Sequence, residues 1–287
     1  MIGWSFLISR RWAGLLALGI VFAVVCVLLG NWQFARRAEA RAAIDRVENN
    51  WSQRPGELAR AMPDPAVLDP DDTWLPVQVS GEYLVDEQLL VRNRPHNGSP
   101  GYEILVPLRT AEDKILVVDR GWIPTAEDPG RPAAIPPPPS GEVTVVVRLK
   151  PGEAAIAGRT ATDGQLATIR LEEVAALLGG TVYTGAYGLL ASEDPAAPTG
   201  ALASRPEPDE GPHLSYALQW YVFAVMGFIG LGLLARQEYR QFNNEDPEEQ
   251  LRAANRAARR AARPTDADIE DALLDSEPAL PTPAERR

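Results

Sequence analysis

The groups able to do chemistry are few in this chain of 287 residues. There are two histidines, His96 and His213, and one cysteine, Cys26. A single cysteine excludes an intramolecular disulfide and any one-chain zinc, copper or iron–sulfur site built on thiolates. Two histidines cannot make a tri-histidine metal centre. His213 opens an apolar run and is followed by Tyr216, Trp220 and Tyr221. A neutral imidazole in such a setting can give one axial bond to iron. On a helix, Ala217 and Trp220 share its face at i+4 and i+7, the small residue leaving room for a flat ring. Trp32, at matching depth on the other apolar run, is expected to wall that slot. The guanidinium groups of Arg36, Arg37 and Arg120 suit a forked grip on carboxylates. A plainer alternative makes His213 an interfacial residue among belt aromatics, with Arg36 and Arg37 reaching for headgroups.

Elsewhere the chemistry is thinner. His96 lies in NRPHNGSPG, a Pro- and Gly-rich loop. A serine hydrolase needs an activated serine and an oxyanion hole, and no Gly-x-Ser-x-Gly elbow exists, so this loop is expected to touch a partner rather than catalyse. Asp119-Arg120-Gly121-Trp122 reads as a turn in which Gly121 supplies unusual dihedrals and Asp119 orients Arg120. The alternative takes Trp122 as a docking anchor. Arg92 and Arg94 alternate with Val91 and Asn93 and are expected on one strand face; Tyr102 is expected in the core.

The elements that must position these groups follow from periodicity. Trp12 to Ala35 and Leu214 to Ala235 carry no formal charge. At 1.5 Å per residue each run crosses the roughly 30 Å hydrocarbon core of a bilayer. The first is too long for a signal-peptide core and lacks a persuasive cleavage site, so it reads as uncleaved. It is expected to continue into water as an Ala/Arg/Glu-rich helix that stops before Arg54-Pro55. Ala13 and Ala17, and Gly227, Gly230 and Gly232, are small residues that permit close helix contact. Between the two apolar runs, short segments rich in Val, Leu and Ile are bounded by Gly, Pro, Asn and Asp, which is strand behaviour. EILVPLRT and KILVVDRG form a hairpin across Ala111-Glu112-Asp113. EVTVVVRLK is a buried strand, Ile169 onward a short helix stopped by Gly179-Gly180, and VYTGAYGLLAS the last strand. About six strands and one or two short helices predict a mostly antiparallel β domain. Residues 55–73 read as loop or short helix, Gly130 to Ser140 as an extended linker, and 192–212 as a return to the membrane. After the second span, 248–263 can form a helix, and the remaining acidic, Pro-punctuated tail is expected to be disordered.

A formal net charge of −11 disfavours nucleic acid as a partner, since phosphate binding needs a basic face. Arginines beside the two spans give opposite indications of orientation, and long loops translocate largely regardless of charge.

Three blocks in order resemble the Surfeit locus protein 1 family of cytochrome c oxidase assembly factors: LLGNWQFARR (Leu28–Arg37), LLVRNRPHNGSPGYEILVPLRTAEDKILVVDRGWIP (Leu89–Pro124) and HLSYALQWYVFA (His213–Ala224). The resemblance implies a non-enzymatic factor that assists haem a insertion into, or maturation of, the catalytic subunit of an aa3-type haem–copper oxidase. It implies haem a as a cofactor, with His213 matching the family's haem-linked histidine. Trp32, Trp220, Tyr216, Arg36, Arg37 and Arg120 complete the expected haem site. Expected partners are the oxidase catalytic subunit, the enzyme that makes haem a, and the lipid bilayer. The implied layout is a bacterial plasma-membrane protein: a cytoplasmic N-terminus 1–11, a span 12–35, an extracytoplasmic β-rich domain 36–212, a span 213–235 and a cytoplasmic tail 236–287. A cofactor-free scaffold or accessory subunit holding an assembly intermediate is the alternative; a copper chaperone is disfavoured by the missing cysteine pair.

Overall fold

A computed structural model describes residues 3–126, 132, 134–159 and 165–262. The chain forms two units, Met1–Ala35 with Pro212–Arg287, and Arg36–Gly211. Helix α1 (Arg10–Asn50, 41 residues) runs unbroken through the boundary. It contains neither Pro nor a capping signal between the apolar run and its Ala/Arg/Glu continuation, so nothing stops the hydrogen-bond ladder at Ala35.

The α-helices and strands that follow α1, as far as Gly211, make up the β unit. In order they are β1 (Gly56–Glu57), α2 (Leu58–Ala61), β2 (Pro76–Tyr83), β3 (Leu89–Val91), β4 (Gly101–Thr110), β5 (Lys114–Pro124), β6 (Glu142–Lys150) and β7 (Gln165–Leu166). Helix α3 (Leu171–Leu178), β8 (Thr181–Val182) and β9 (Tyr187–Asp194) complete it. Neighbours run β2–β6–β9–β5–β4, and β4 pairs again with β2, which closes the sheet into a five-stranded barrel. Six strands have three residues or more among the described residues, matching the expected number. The expectation of a mostly antiparallel sheet fits in part. The pairs β2–β4, β2–β6, β3–β4, β4–β5 and β6–β9 are antiparallel, but β5–β9, which the ring requires, is parallel, as are β1–β2, β3–β7 and β5–β8. The chain reaches β9 through α3 instead of a tight turn, and a crossover of that length permits parallel entry.

Alternation sorts the side chains. Ile104, Val106, Leu108, Leu116, Val118, Val143, Val145, Val147 and Leu190 fill the barrel. On the other face of the same strands Leu105, Ile115, Val117, Tyr187 and Leu189 pack with Leu171 and Val174 of α3. Strands β4 and β5 are thus buried on both faces, which explains their near-continuous apolar runs. Strand β6 is instead half-buried, with only its odd residues inside. The Ala111–Asp113 connection turns as expected, with Asp113 in the left-handed region at φ 56°.

The part of α1 from Arg36 to Asn50 belongs to this unit and is fixed to it at its end. Asn50 Nδ2 donates to the carbonyls of Asp71 and Thr73 at 2.6 and 2.9 Å. Trp51 lies against Trp74, and the Arg148 guanidinium covers the Trp51 ring at 3.9 Å. Farther along, Glu210 accepts from both Arg37 and Arg41 at 2.9 and 2.8 Å, tying the return segment to α1.

In the first unit α1 lies beside α4 (His213–Phe242), and a short turn leads to α5 (Pro247–Ala261). Both α1 and α4 are long and apolar enough to cross a membrane. Their mutual contacts, Gly19 with Leu231, Phe22 with Gly227 and Gly30 with Tyr221, make an antiparallel pair. Of the small residues singled out in the sequence, Gly227 lies at this seam, whereas Gly230 meets nothing. The seam falls on the helix face that faces the partner, not wherever glycines cluster. The expected disordered tail, 264–287, lies outside the described residues, as do the last residue of the expected helix 248–263 and Gly130 at the start of the expected linker.

Candidate functional site

His213 is the first residue of α4, where the last turn of the apolar run of α1 lies alongside. Its Nδ1 is 2.9 Å from Gln33 Oε1. In the neutral tautomer whose Nδ1–H donates to this amide oxygen, the lone pair is left on Nε2. About two turns further along α4, the Tyr221 hydroxyl donates to Asn31 Oδ1 at 2.7 Å, and a Cβ on Gly30 would meet the Tyr221 ring at 2.8 Å. Two amides at the end of an apolar helix thus meet two polar groups of α4. Asn31 and Gln33 are the residues that sequence reasoning missed; their signal is that they are the only amides of α1's uncharged run.

Several expected partners of His213 lie elsewhere. Trp32 comes two residues after Gly30, roughly 200° around the helix, so it points away from the seam; it is 54% exposed. Gln33 takes the place assigned to it. Ala217 is completely buried, so the space beside it is filled and offers no slot. The open side of His213 is that of Tyr216, 49% exposed, and of Trp220, whose ring meets Phe223 edge-on at 5.8 Å. The residues present fit a haem there, with one imidazole ligand and two aromatic side chains.

Arg120 requires a larger correction. Its side chain has no exposure and lies inside the barrel, against Glu193. Nε and Nη2 donate to the two Glu193 oxygens, while Nη1 and Nη2 reach the carbonyls of Pro136 and Pro198 at 3.2 and 3.1 Å. The Tyr83 hydroxyl donates to Glu193 at 3.0 Å. Burial, then the Glu193 charge, pushes the Tyr83 phenol well up. Enclosed and fully engaged, Arg120 cannot grip a ligand carboxylate. Asp119 does not orient it: Asp119 Oδ1 accepts from the Gly121 N–H at 2.9 Å, and Gly121, at φ 103°, makes the expected turn. Arg36 pairs with Glu39 at 2.7 Å and Arg37 with Glu210, so both already have carboxylate partners.

The outer barrel face carries a second polar cluster. Arg94 bridges Glu103 and Glu153, and Glu153 also accepts from the Ile169 N–H. Arg94 follows Asn93, whose φ is 60°, so the strand ends at Val91 and the expected alternation of Arg92 and Arg94 is broken. Residues His96–Ser99 close a tight turn, and the His96 ring rests 5.0 Å from that of Trp122. Trp122 Nε1 donates to the Arg94 carbonyl at 2.7 Å. Beneath this turn a cavity of about 240 Å³ has Glu103, Asp119 and Lys150 among its lining. No group of three His, Cys, Asp or Glu among the described residues is placed to hold a metal ion.

Asp119 is the strained member. Burial, then the nearby Glu103 charge, pushes its carboxyl up to about 7. Burial likewise raises Glu103. For Glu153, burial is outweighed by the hydrogen bonds from Arg94 and Ile169, and its carboxyl stays below the usual value. An acid raised on folding stabilises the fold fully below its unfolded value, near 4, and that contribution is lost as pH rises through about 7. Asp119→Asn keeps an oxygen for Gly121 and removes the ionisation. Its melting temperature is expected to fall less than that of the parent between about pH 5 and pH 8. Parallel melting curves for the two proteins over that range would contradict the assignment.

Compared with known proteins, residues 20–225 match the model of the SURF1 family. An uncharacterized SURF1-like protein of Mycobacterium tuberculosis is 31% identical over 246 residues, 84% of this chain and 89% of that protein. A SURF1-like protein of Rickettsia bellii is 28% identical over 105 residues, 36% of this chain and 41% of that protein. The cytochrome oxidase assembly protein SHY1 of Saccharomyces cerevisiae is 28% identical over 119 residues, 40% of this chain and 30% of that protein.

Proposed function

This chain belongs to the SURF1 family, and on that premise we propose that it serves the assembly of cytochrome oxidase. The supporting observation is the extent of the match. It runs from the apolar part of α1 through the barrel to the first turns of α4, and a relative within it is named as an oxidase assembly protein. The chain acts by binding, held in a bacterial plasma membrane by α1 and α4. Both termini are cytoplasmic and the β unit is outside, where it meets the oxidase catalytic subunit and the enzyme that makes haem a. Membranes of cells lacking the protein are expected to lose haem a absorbance and oxidase activity, and the full chain is expected to restore both. Unchanged oxidase content would end the proposal. Protease added outside intact cells should cut the β unit; protection would reverse the orientation.

The finer part of the proposal concerns His213. Haem, when bound, would supply an iron open to a nitrogen donor, and the chain's share would be to present Nε2 of His213. Gln33 fixes the tautomer by accepting a hydrogen bond from Nδ1–H, as partners of ligating histidines do. Tyr216 and Trp220 flank the open side. Protein purified from cells making haem a is expected to carry it, His213→Ala to carry none, and Gln33→Ala to bind about 10-fold more weakly. Equal haem in all three would remove His213 from this role. Undiminished co-purification of oxidase subunits with His213→Ala would favour the cofactor-free scaffold.

A further inference from the structure

Helix α5 follows α4 after a four-residue turn, Asn243–Asp246. Asp246 caps it by accepting from the Glu248 N–H at 2.9 Å, and Pro247 opens it, so the break from α4 is specified locally. Glu249 anchors its first turn: it accepts from Arg256 at 2.7 Å and lies 4.0 Å from Arg240 of α4. Beyond that anchor the helix is uncovered. Leu251, Ala254, Ala258 and Ala262 fall on one stripe at i, i+3, i+7 and i+11, and Leu251 is 66% exposed. Arg252 and Arg259 lie together along one edge of the stripe. Arg259 and Arg260 make no ion pair among the described residues.

The same end of the first unit collects charge and aromatics. Arg11 pairs with Glu238 at 3.0 Å; the Trp4 ring stacks on Tyr239 at 4.3 Å, and Phe6 lies 5.8 Å from Phe242. Ile8 is 88% exposed. Arginines outnumber carboxylates over residues 10–11 and 236–262. Arg236 to Phe242 lengthens α4 by roughly 10 Å beyond its apolar run, so α5 begins near headgroup depth.

We propose that α5 is an interfacial helix that binds the anionic headgroups of the leaflet from which α4 emerges, a proposal that rests on α1 and α4 being membrane spans. The shape of its apolar face selects this occupant. A helix that docks in a protein groove presents several large anchors at i, i+3, i+4 and i+7. Here Leu251 is the only one, and the rest of the stripe is alanine. A shallow apolar stripe with arginines along one edge suits the boundary between acyl chains and headgroups, where guanidinium groups turn out to the phosphates. Each basic residue near an anionic surface adds to that attraction.

The test uses the full chain in nanodiscs, with spin labels on Leu251→Cys and, separately, on Leu233→Cys, each in a Cys26→Ala background. Collisions with oxygen report lipid; collisions with a water-soluble nickel chelate report solvent. Phosphatidylcholine discs are compared with discs containing about one-third phosphatidylglycerol. The label at 233 should meet oxygen in both. The label at 251 should meet oxygen only in the anionic discs, and Arg259→Gln with Arg260→Gln should shift its lipid-to-water ratio roughly 10-fold toward water. Nickel access at 251 in both discs would overturn the proposal, and so would burial at 251 that ignores lipid charge and the two arginines. Nickel access at 233 would show that the spans themselves are misread, and this proposal would fall with them.

Discussion

Arg120→Ala is expected to destabilise the β barrel by about 3–5 kcal/mol, because it leaves the Glu193 carboxylate buried without its cation. Glu193 is 3% exposed and Arg120 wholly enclosed, so neither charge can recover water in place. Glu193 would retain one neutral donor, the Tyr83 hydroxyl. The loss extends beyond the pair. Arg120 also holds the carbonyls of Pro136, in the approach to β6, and Pro198, after β9. Both segments lack regular structure and depend on side-chain donors to hold them. Glu193→Gln should be costly in the same way, with an unpaired guanidinium. The double change Arg120→Met with Glu193→Leu should recover much of either loss, since an apolar pair of similar volume does not carry the desolvation penalty. Urea unfolding of the full chain in detergent, read by tryptophan fluorescence, gives the ranking. Protease cutting near 134–140 and 195–204 reads the loosened segments. Single variants that unfold with the parent would refute the buried-pair account.

The way this pair arises marks the limit of what the sequence could reveal. Arg120 sits in VVDRGWIP, and its parity with Leu116 and Val118 was already enough to place it on one face. What parity could not supply was Glu193. Strand β9 shifts register against β6 between Val146 and Val147, so Leu190 faces Val147 while Glu193 faces Val145, and both point inward. A bulge of this kind breaks alternation in YGLLASED, and with it the rule by which a glutamate near a strand end is assigned to solvent. The apolar runs of α1 and α4, the hairpin across Ala111–Asp113, α3 with its stop at Gly179 and the left-handed turn at Gly121 were legible, because each rests on local signals: charge-free length, turn residues and glycine. The parallel β5–β9 pair was not, since it depends on where a crossover returns the chain. At His213 the sequence offered the imidazole and its aromatic neighbours on α4. It did not offer Gln33, because which face of α1 meets α4 is set by the seam of Gly19, Phe22 and Gly30, and that seam turns Trp32 away. Sequence periodicity fixes faces within a helix; it is silent on which face a second helix chooses.

Barrel closure makes the second large prediction. Gly81 pairs with Val143 of β6 on one side and with Thr110 of β4 on the other, so β2 turns its corner there and completes the ring. The two neighbours crowd it: a Cβ at Gly81 would lie 2.1 Å from the Arg109 carbonyl oxygen and 2.9 Å from its carbon. Those are backbone atoms within the β4–β5 hairpin and cannot move aside as a side chain can. Gly81→Ala must therefore separate β2 from β4, at a cost of about 3 kcal/mol or more. Gly188 provides the comparison. A Cβ there would lie 2.6 Å from a methyl of Val147 and 2.7 Å from its Cβ, so the clash is with a side chain and not with backbone, and Val147→Ala removes the methyl part of it. Gly188→Ala should therefore lose less, and Val147→Ala should offset part of that loss, whereas no neighbouring truncation should restore Gly81→Ala. Amide exchange locates the effect: at Gly81–Tyr83 and Leu108–Thr110, where β2 meets β4, protection should fall in Gly81→Ala while the β6–β9 amides keep theirs. If Gly81→Ala melts with the parent and keeps that protection, β2 does not close the barrel against β4, and the sheet is an open one whose two edges merely lie close.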